Sequence, residues 1–177
     1  GAEFIEEQRL LNSFYDNPEY SLTKKDLWLR DRNGRFELKV PIVANHTGQY
    51  EELENDEEIK KALNFPETTK LRQELTKHGY LPFYSCLTIR RKYKKEGFTI
   101  DLDLTYFDEK TTYEIAEIEL LVERKEEAAE AIAKIKKFAA DNGIPYDRAR
   151  GKIIEFLKRY KPDHYQALIA AGVIKDF

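Results

Sequence analysis

Residues 98–122 read FTIDLDLTYFDEKTTYEIAEIELLV, and their alternation decides the fold. A strand turns successive side chains to opposite faces. Over 98–107 this puts Ile100, Leu102, Leu104 and Tyr106 on one side and Asp101 and Asp103 on the other. Over 116–122 it puts Ala116, Ile118 and Leu120 on one side and Glu117 and Glu119 on the other. The intervening DEKTT suits an antiparallel pair, which would gather four carboxylates on one face. Like charges directly opposed across a ladder are destabilising, so a cationic group is expected among them.

Other strands supply the cations. WLRDR places Arg30 and Arg32 on one parity with Trp28, FELKV places Glu37 with Lys39, and LTIRRKY offers Arg90. One face thus carries acids from late strands and bases from early ones, while the opposite face is uniformly apolar. An antiparallel sheet with one face in water accounts for charged residues on that face. A closed or cupped sheet with the charged face inside accounts for them too, and segregation of sign by strand favours it. Such an interior holds divalent cations on carboxylates and a polyanion on guanidinium and ammonium groups. Oxygen donors without histidine or cysteine suit Mg²⁺ or Mn²⁺ rather than Zn²⁺.

The rest of the chain reads as one domain of mixed α and β. Segments 3–15, 21–32, 35–43 and 48–53 read as strands, with Asn33-Gly34 as a hairpin turn because both residues accept positive φ. Two short helices follow within about 55–78, with Pro66 in a first helical turn and Gly79 as a C-terminal cap. Strands resume over 84–95, 97–107 and 113–123. Residues 1–122 are therefore mostly sheet and 123–177 helical. Helix 126–140 shows an apolar stripe of Ala128, Ile132, Ile135 and Ala139, ending at Asn142-Gly143. A helix over 145–160 turns Ile153, Ile154, Phe156 and Leu157 inward. A last one starts at Asp163 as N-cap and runs to Gly172.

Composition excludes several classes. The chain has 177 residues and a formal net charge of −3, so no global basic field recruits nucleic acid or an acidic membrane. No apolar run reaches the roughly 20 residues of a membrane span. The single cysteine, Cys86, excludes an internal disulfide framework and points to a reducing, cytoplasmic compartment; on a strand it reads as a small buried hydrophobe. His46, His78 and His164 lie far apart and match no metal pattern. There is no glycine-rich phosphate loop. No methionine occurs and the chain opens at Gly1, which is read as trimming of an N-terminal piece.

The order YDNP, WLRDR, FELK, YEEL, TIRRKY, DLDL, EIEL, GKIIEFL resembles the CYTH superfamily of triphosphate tunnel metalloenzymes over nearly the whole chain. SFYDNPEYSL and the tail LKRYKPDHYQALIAAGV are most similar to its thiamine triphosphatase-type branch. The resemblance implies an α+β fold built on an eight-stranded antiparallel barrel, a tunnel with surrounding helices. Its first strand carries Glu-x-Glu-x-Lys. Here GAEFIEEQRLLNSFYD aligns with the second strand, so that first strand is expected to be absent from this chain.

The resemblance also implies the roles. Arg30, Arg32, Lys39, Arg90 and Lys152 match the phosphate-binding cations, with Lys39, Arg90 and Lys152 as catalytic groups. Asp101, Asp103, Glu117, Glu119 and Glu52 match the acidic positions, with Glu117 and Glu119 as the metal ligands of choice. Trp28 matches an aromatic for stacking on an organic moiety. The implied activity is Mg²⁺-dependent release of the terminal phosphate from inorganic tripolyphosphate or thiamine triphosphate. The partner is a small-molecule triphosphate and the state expected is a monomer. The alternatives are a non-catalytic polyphosphate-binding module and a class IV-type adenylyl cyclase, to which the long C-terminal helices are ill suited.

Overall fold

The computed structural model describes residues 1–42, 49–145 and 149–175. The fold is α+β. Its strands are β1 (Glu3–Asp16), β2 (Trp28–Arg32), β3 (Arg35–Pro41), β4 (Tyr50–Leu53), β5 (Leu81–Lys95), β6 (Phe98–Tyr106) and β7 (Thr112–Glu119). They form a sheet of order β4-β3-β2-β1-β5-β6-β7, and the pairs β1–β2, β2–β3, β3–β4, β5–β6 and β6–β7 are antiparallel. Seven strands are what the sequence reading expects of this chain. The helices are α1 (Asp56–Ala62), α2 (Leu71–Lys77), α3 (Ala128–Asp141), α4 (Lys152–Tyr160) and α5 (Pro162–Ala170). None among the described residues is long and apolar enough to cross a membrane, which says nothing of strands.

The chain forms two compact units, Gly1–Leu10 with Leu87–Phe156 and Leu11–Cys86 with Leu157–Phe177. In the first, β5, β6 and β7 form a meander. Phe98, Ile135 and Phe138 make a buried cluster with Ile100, Ile118 and Leu120 against it, so α3 covers one end of the apolar face. On α3 itself Ala128, Ile135 and Ala139 are buried as the stripe predicts, joined by Ala131 and Phe138. In the second unit, Leu22, Leu29, Phe36, Leu38, Ile59, Phe65, Leu71 and Leu75 form the core that α1 and α2 bury. The Asn33-Gly34 turn is as expected, with φ of 51° and 88°. Gly79 caps α2 with φ 73°, and Tyr80 N–H returns to Leu75 O. Cys86 is buried, as expected of a small hydrophobe on a strand.

Several boundaries differ from the sequence reading. Residues 21–27 are not strand: Asp16 accepts the N–H groups of Leu22 and Thr23, Asn17 accepts that of Ser21, and Thr23–Lys25 winds into a 3₁₀ turn. Side-chain acceptors there take the donors a ladder needs. Pro66 lies ahead of α2 rather than in its first turn. The buried Lys60 ammonium donates to Glu67 O at 2.6 Å and Thr69 O at 3.0 Å, which holds the intervening chain as a turn. β7 stops at Glu119, opposite Thr99, one residue short of the start of β6 at Phe98. α4 begins at Lys152, not at residue 145. On α4 Phe156 and Leu157 are buried while Ile153 and Ile154 are half-buried. Pro162 takes the first position of α5, which puts Asp163 inside the helix, not at its cap. The expected strand ends at Val43 and Gly48, His46, and residues 146–148 of the expected helix lie outside the described residues.

Candidate functional site

The charged face of β6 is the buried one. Asp101 is 0% exposed and Asp103 3%, whereas Leu102 on the opposite face is 42% exposed. This decides between the two readings of the alternation: the carboxylates do not stand in water. The opposite face is apolar in composition but only partly covered.

Register builds the first cluster rung by rung. Lys92, Asp101 and Glu117 stand opposite one another across β5, β6 and β7. Arg90 stands opposite Asp103, and Thr88 opposite Thr105 with a 2.9 Å hydroxyl contact between them. The Arg90 guanidinium gives a fork to Asp103, Nε and Nη2 each at 2.7 Å, and Nη2 also reaches Glu117 Oε2 at 2.9 Å. Its Nη1 ion-pairs with Asp101. Lys152, the first residue of α4, reaches the same acids: Nζ donates to Asp103 Oδ2 and, at 3.2 Å, to Glu117 Oε1. Glu119 stands opposite Thr99 farther along the same face.

Burial alone would drive these groups to neutrality, but the pairing outweighs it. Burial works against charge on Arg90, yet Asp103, Glu117 and Asp101 hold its pKa above the ordinary value. Asp103, likewise desolvated, is held below the carboxylate range by Arg90 and Lys152. Asp101 differs. Among the described residues neither of its buried oxygens accepts a hydrogen bond, and it is met by the ion pair with Arg90 and by Lys92 at 3.7 Å.

The second unit carries a second cluster. Arg30, buried on β2, donates from Nε to Glu37 at 2.6 Å and from Nη2 to Glu52 at 2.5 Å. Arg32 reaches Glu37 at 3.5 Å and donates to Asn12 Oδ1 at 3.1 Å. Lys39 stands opposite both Trp28 and Glu52 in the register, with its ammonium 5.9 Å from the Tyr50 ring centroid. Burial pushes the Glu52 pKa up, but Lys39, Arg30 and Arg32 together bring it below its ordinary value. Trp28 is buried, its indole N–H donating to Asp26 Oδ1 at 2.8 Å, and Tyr50 O–H donates to the same oxygen at 2.9 Å.

The expected segregation of sign is therefore not how the charges meet. Arg90 and Lys152 lie among the late-strand acids, and Arg30 lies between Glu37 and Glu52. Two residues of these clusters escaped the sequence reading. Lys92 was findable, since it shares the parity of Arg90 in TIRRKY. Asn12, on a strand read only by its bounds, carried no signal until Arg32 was placed opposite it.

The CYTH domain matches residues 1–147, a span that takes in every cluster residue except Lys152. The thiamine-triphosphatase of Homo sapiens is 30% identical over 183 residues, covering 89% of this chain and 76% of the human protein. That of Macaca fascicularis is 29% identical over 183 residues, covering 93% and 78%. Among solved structures, the PH1819 protein from Pyrococcus horikoshii OT3 is similar with a TM-score of 0.62 and 25% identity, over 89% of this chain and 88% of that one. The domain match spans every strand from β1 to β7, and with them all the strand residues of both clusters: the chain belongs to the CYTH domain family.

Proposed function

We propose that this protein is a divalent-metal-dependent triphosphatase, releasing the terminal phosphate of inorganic tripolyphosphate or thiamine triphosphate. Family membership and the two thiamine-triphosphatase relatives support triphosphate hydrolysis at the level of the family. The observation that carries the reading is the convergence of Arg90 and Lys152, both buried, on the same two carboxylates, Asp103 and Glu117.

The donor set suits a hard cation such as Mg²⁺ or Mn²⁺ by type: Asp101, Asp103, Glu117 and Glu119 offer oxygen alone. Asp101 is buried and its two oxygens are met by the ion pairs with Arg90 and Lys92, charge that a bound cation could replace. These acids would hold the ion; in the second cluster, taken by itself, Glu52 is the acid assigned to metal. A bound divalent cation supplies Lewis-acid neutralisation of phosphate charge.

The chain's own cations do the rest. Of the first cluster, Arg90 and Lys152 are phosphate-binding groups; of the second, taken by itself, Arg30, Arg32 and Lys39 are, the guanidinium groups through paired N–H donors. Water attacks the terminal phosphorus in line; the new O–P bond forms as the anhydride P–O bond breaks, giving orthophosphate and the diphosphate. In the first cluster Arg90 and Lys152 stabilise the charge on phosphate oxygens once these replace Asp103 and Glu117 as their partners; in the second cluster Lys39 has the same catalytic assignment. Trp28 borders Lys39 and serves an organic moiety.

Phosphate release from tripolyphosphate and from thiamine triphosphate, side by side with Mg²⁺ and with EDTA, tests the proposal. Metal-dependent release is expected; a folded protein that releases none from either would overturn it. One observation favours a second reading, a non-catalytic polyphosphate-binding module. Among the described residues no three acidic, histidine or cysteine side chains are drawn together as an ion's ligands, the acids being engaged by Arg90 and Lys152 instead. Tight tripolyphosphate binding without turnover is the result that reading expects.

A further inference from the structure

Of the cations in the first cluster, Arg90 and Lys92 belong to a strand, whose ladder fixes where their side chains leave the backbone. Lys152 does not. It opens α4, and residues 149–151 ahead of it are not helical. Something other than a ladder must set that first helical turn if the Lys152 ammonium is to reach Asp103 and Glu117.

Tyr113 is placed to do this. It lies on β7 opposite Thr105, and its parity puts it on the same face as Glu117, four residues away. Its hydroxyl donates to Arg150 O at 2.7 Å, two residues before Lys152. Its ring stacks on Phe107, centroids 5.7 Å apart and planes at 19°, and Phe107 meets Phe156 edge-on at 5.7 Å. Phe156 is one turn past Lys152. The chain on both sides of the lysine is thus tied to the end of the β6–β7 pair, by a hydrogen bond before it and by aromatic contact after it. The turn is closed by Arg150 Nη1 donating to Glu155 Oε2 at 3.1 Å and by Glu155 N–H donating to Gly151 O at 3.0 Å.

We propose that Tyr113 is a positioning residue for Lys152: through its hydroxyl it holds the start of α4 so that the lysine ammonium is delivered to the Asp103–Glu117 pair. In the triphosphatase reading, on which its consequence for substrate rests, Tyr113 thereby sets the affinity for the triphosphate without touching it.

Tyr113→Phe keeps the ring and both aromatic contacts and deletes only the hydroxyl. The first readout is chemical labelling of lysines with acetic anhydride on the folded protein, mapped by peptide mass. Lys152, buried and ion-paired, is expected to label slowly in the wild type and several-fold faster in Tyr113→Phe, with Lys92 and Lys95 unchanged. The second is tripolyphosphate binding by calorimetry. Tyr113→Phe is expected to weaken it roughly fivefold, the size of one hydrogen bond, and to add nothing in a Lys152→Ala background. Unaltered Lys152 labelling, or a loss that adds in full to that of Lys152→Ala, overturns the proposal. A wild-type protein that neither binds nor hydrolyses tripolyphosphate overturns the triphosphatase reading alone, and the labelling then decides the role of Tyr113 by itself.

Discussion

Asp101 stands directly opposite Glu117 in the β6–β7 register, and one guanidinium, that of Arg90, ion-pairs with both. The cost of opposing like charges is met by a third strand rather than by solvent. Arg90 is consequently as much a part of the fold as of the site. Removing it leaves Asp101 with Lys92 at 3.7 Å and Asp103 with Lys152, both acids buried.

The first prediction follows from that arrangement. If Arg90 is taken as a phosphate-binding group alone, Arg90→Ala is expected to lower turnover steeply and leave folding nearly intact. The structure expects it to destabilise the protein by about 3–5 kcal/mol, the usual cost of breaking a buried pair from one side. Urea unfolding measures this. Millimolar Mg²⁺ should raise the midpoint of Arg90→Ala more than that of the wild type, since a cation can take the vacated charge. Wild-type stability in the variant would show that the acids find other partners.

Arg30 is the second test. Its fork divides between Glu37 and Glu52, a geometry a lysine ammonium cannot reproduce. Arg30→Lys keeps the charge and loses one of the two directed contacts. Phosphate release is expected to fall about tenfold in kcat/KM, equivalent to roughly 1.4 kcal/mol, with the circular dichroism spectrum unchanged. A variant as active as the wild type would remove Arg30 from the phosphate-binding set.

A third prediction concerns the order in which ligands bind. The first cluster is internally neutralised: a triphosphate must draw Arg90 and Lys152 away from Asp103 and Glu117, and a cation must draw those acids away from the bases. Each ligand therefore releases groups the other needs, and reciprocal coupling is required by linkage. Calorimetry corrected for the metal–tripolyphosphate complex in solution is expected to give at least tenfold tighter anion binding with Mg²⁺ than with EDTA. Equal affinity in both would mean that the acids play no part in metal binding.

Much of this was legible in the sequence, and the limits have physical reasons. DLDL and EIEL identify strands because their period is two, and Asn33-Gly34 marks its turn because two successive positive φ angles suit few residues. Which face is inside is not legible from alternation, since Asp101 and Leu102 alternate identically whether the charged side meets water or other charges. The segregation of sign and the family resemblance favour the charged face inside, and the burial of Asp101 and Asp103 agrees. Local side-chain capture was also hidden. Asp16 takes the N–H groups that would have made residues 21–27 a strand, and Lys60, a residue type rarely buried, fixes the turn that displaces Pro66 from α2. The start of α4 depends on Tyr113 meeting Arg150 from 37 residues away in sequence, which no local pattern announces.

The last prediction is a pH dependence set by His164. Its ring lies 3.9 Å from that of Tyr20 in a stack, with Phe83 edge-on at 5.0 Å, and its Nε2 is 2.7 Å from Thr23 Oγ1. Thr23 Oγ1 already donates its proton to Asp16, so it accepts from His164, which is the neutral Nε2–H tautomer. Burial lowers the His164 pKa to about 4; Asp16 opposes this, and Lys24 and Lys161 add to it. The unfolded chain titrates at the ordinary value near 6.5. Above about pH 6.5 neither state binds the proton and this contribution to stability is complete. As pH falls from 6.5 towards 4 the unfolded state takes up a proton that the folded state refuses, so stability declines by up to roughly 3 kcal/mol; below 4 the loss is complete. The carboxylates held low, Asp103 and Glu52, lose their contributions only as pH falls through their own depressed values, a more acidic window. His164→Gln is expected to be less stable at pH 7 yet flatter between pH 6.5 and 4, by the slope of one proton. An unfolding free energy with the same slope in both proteins would mean that His164 binds its proton as readily in the fold as in the unfolded chain.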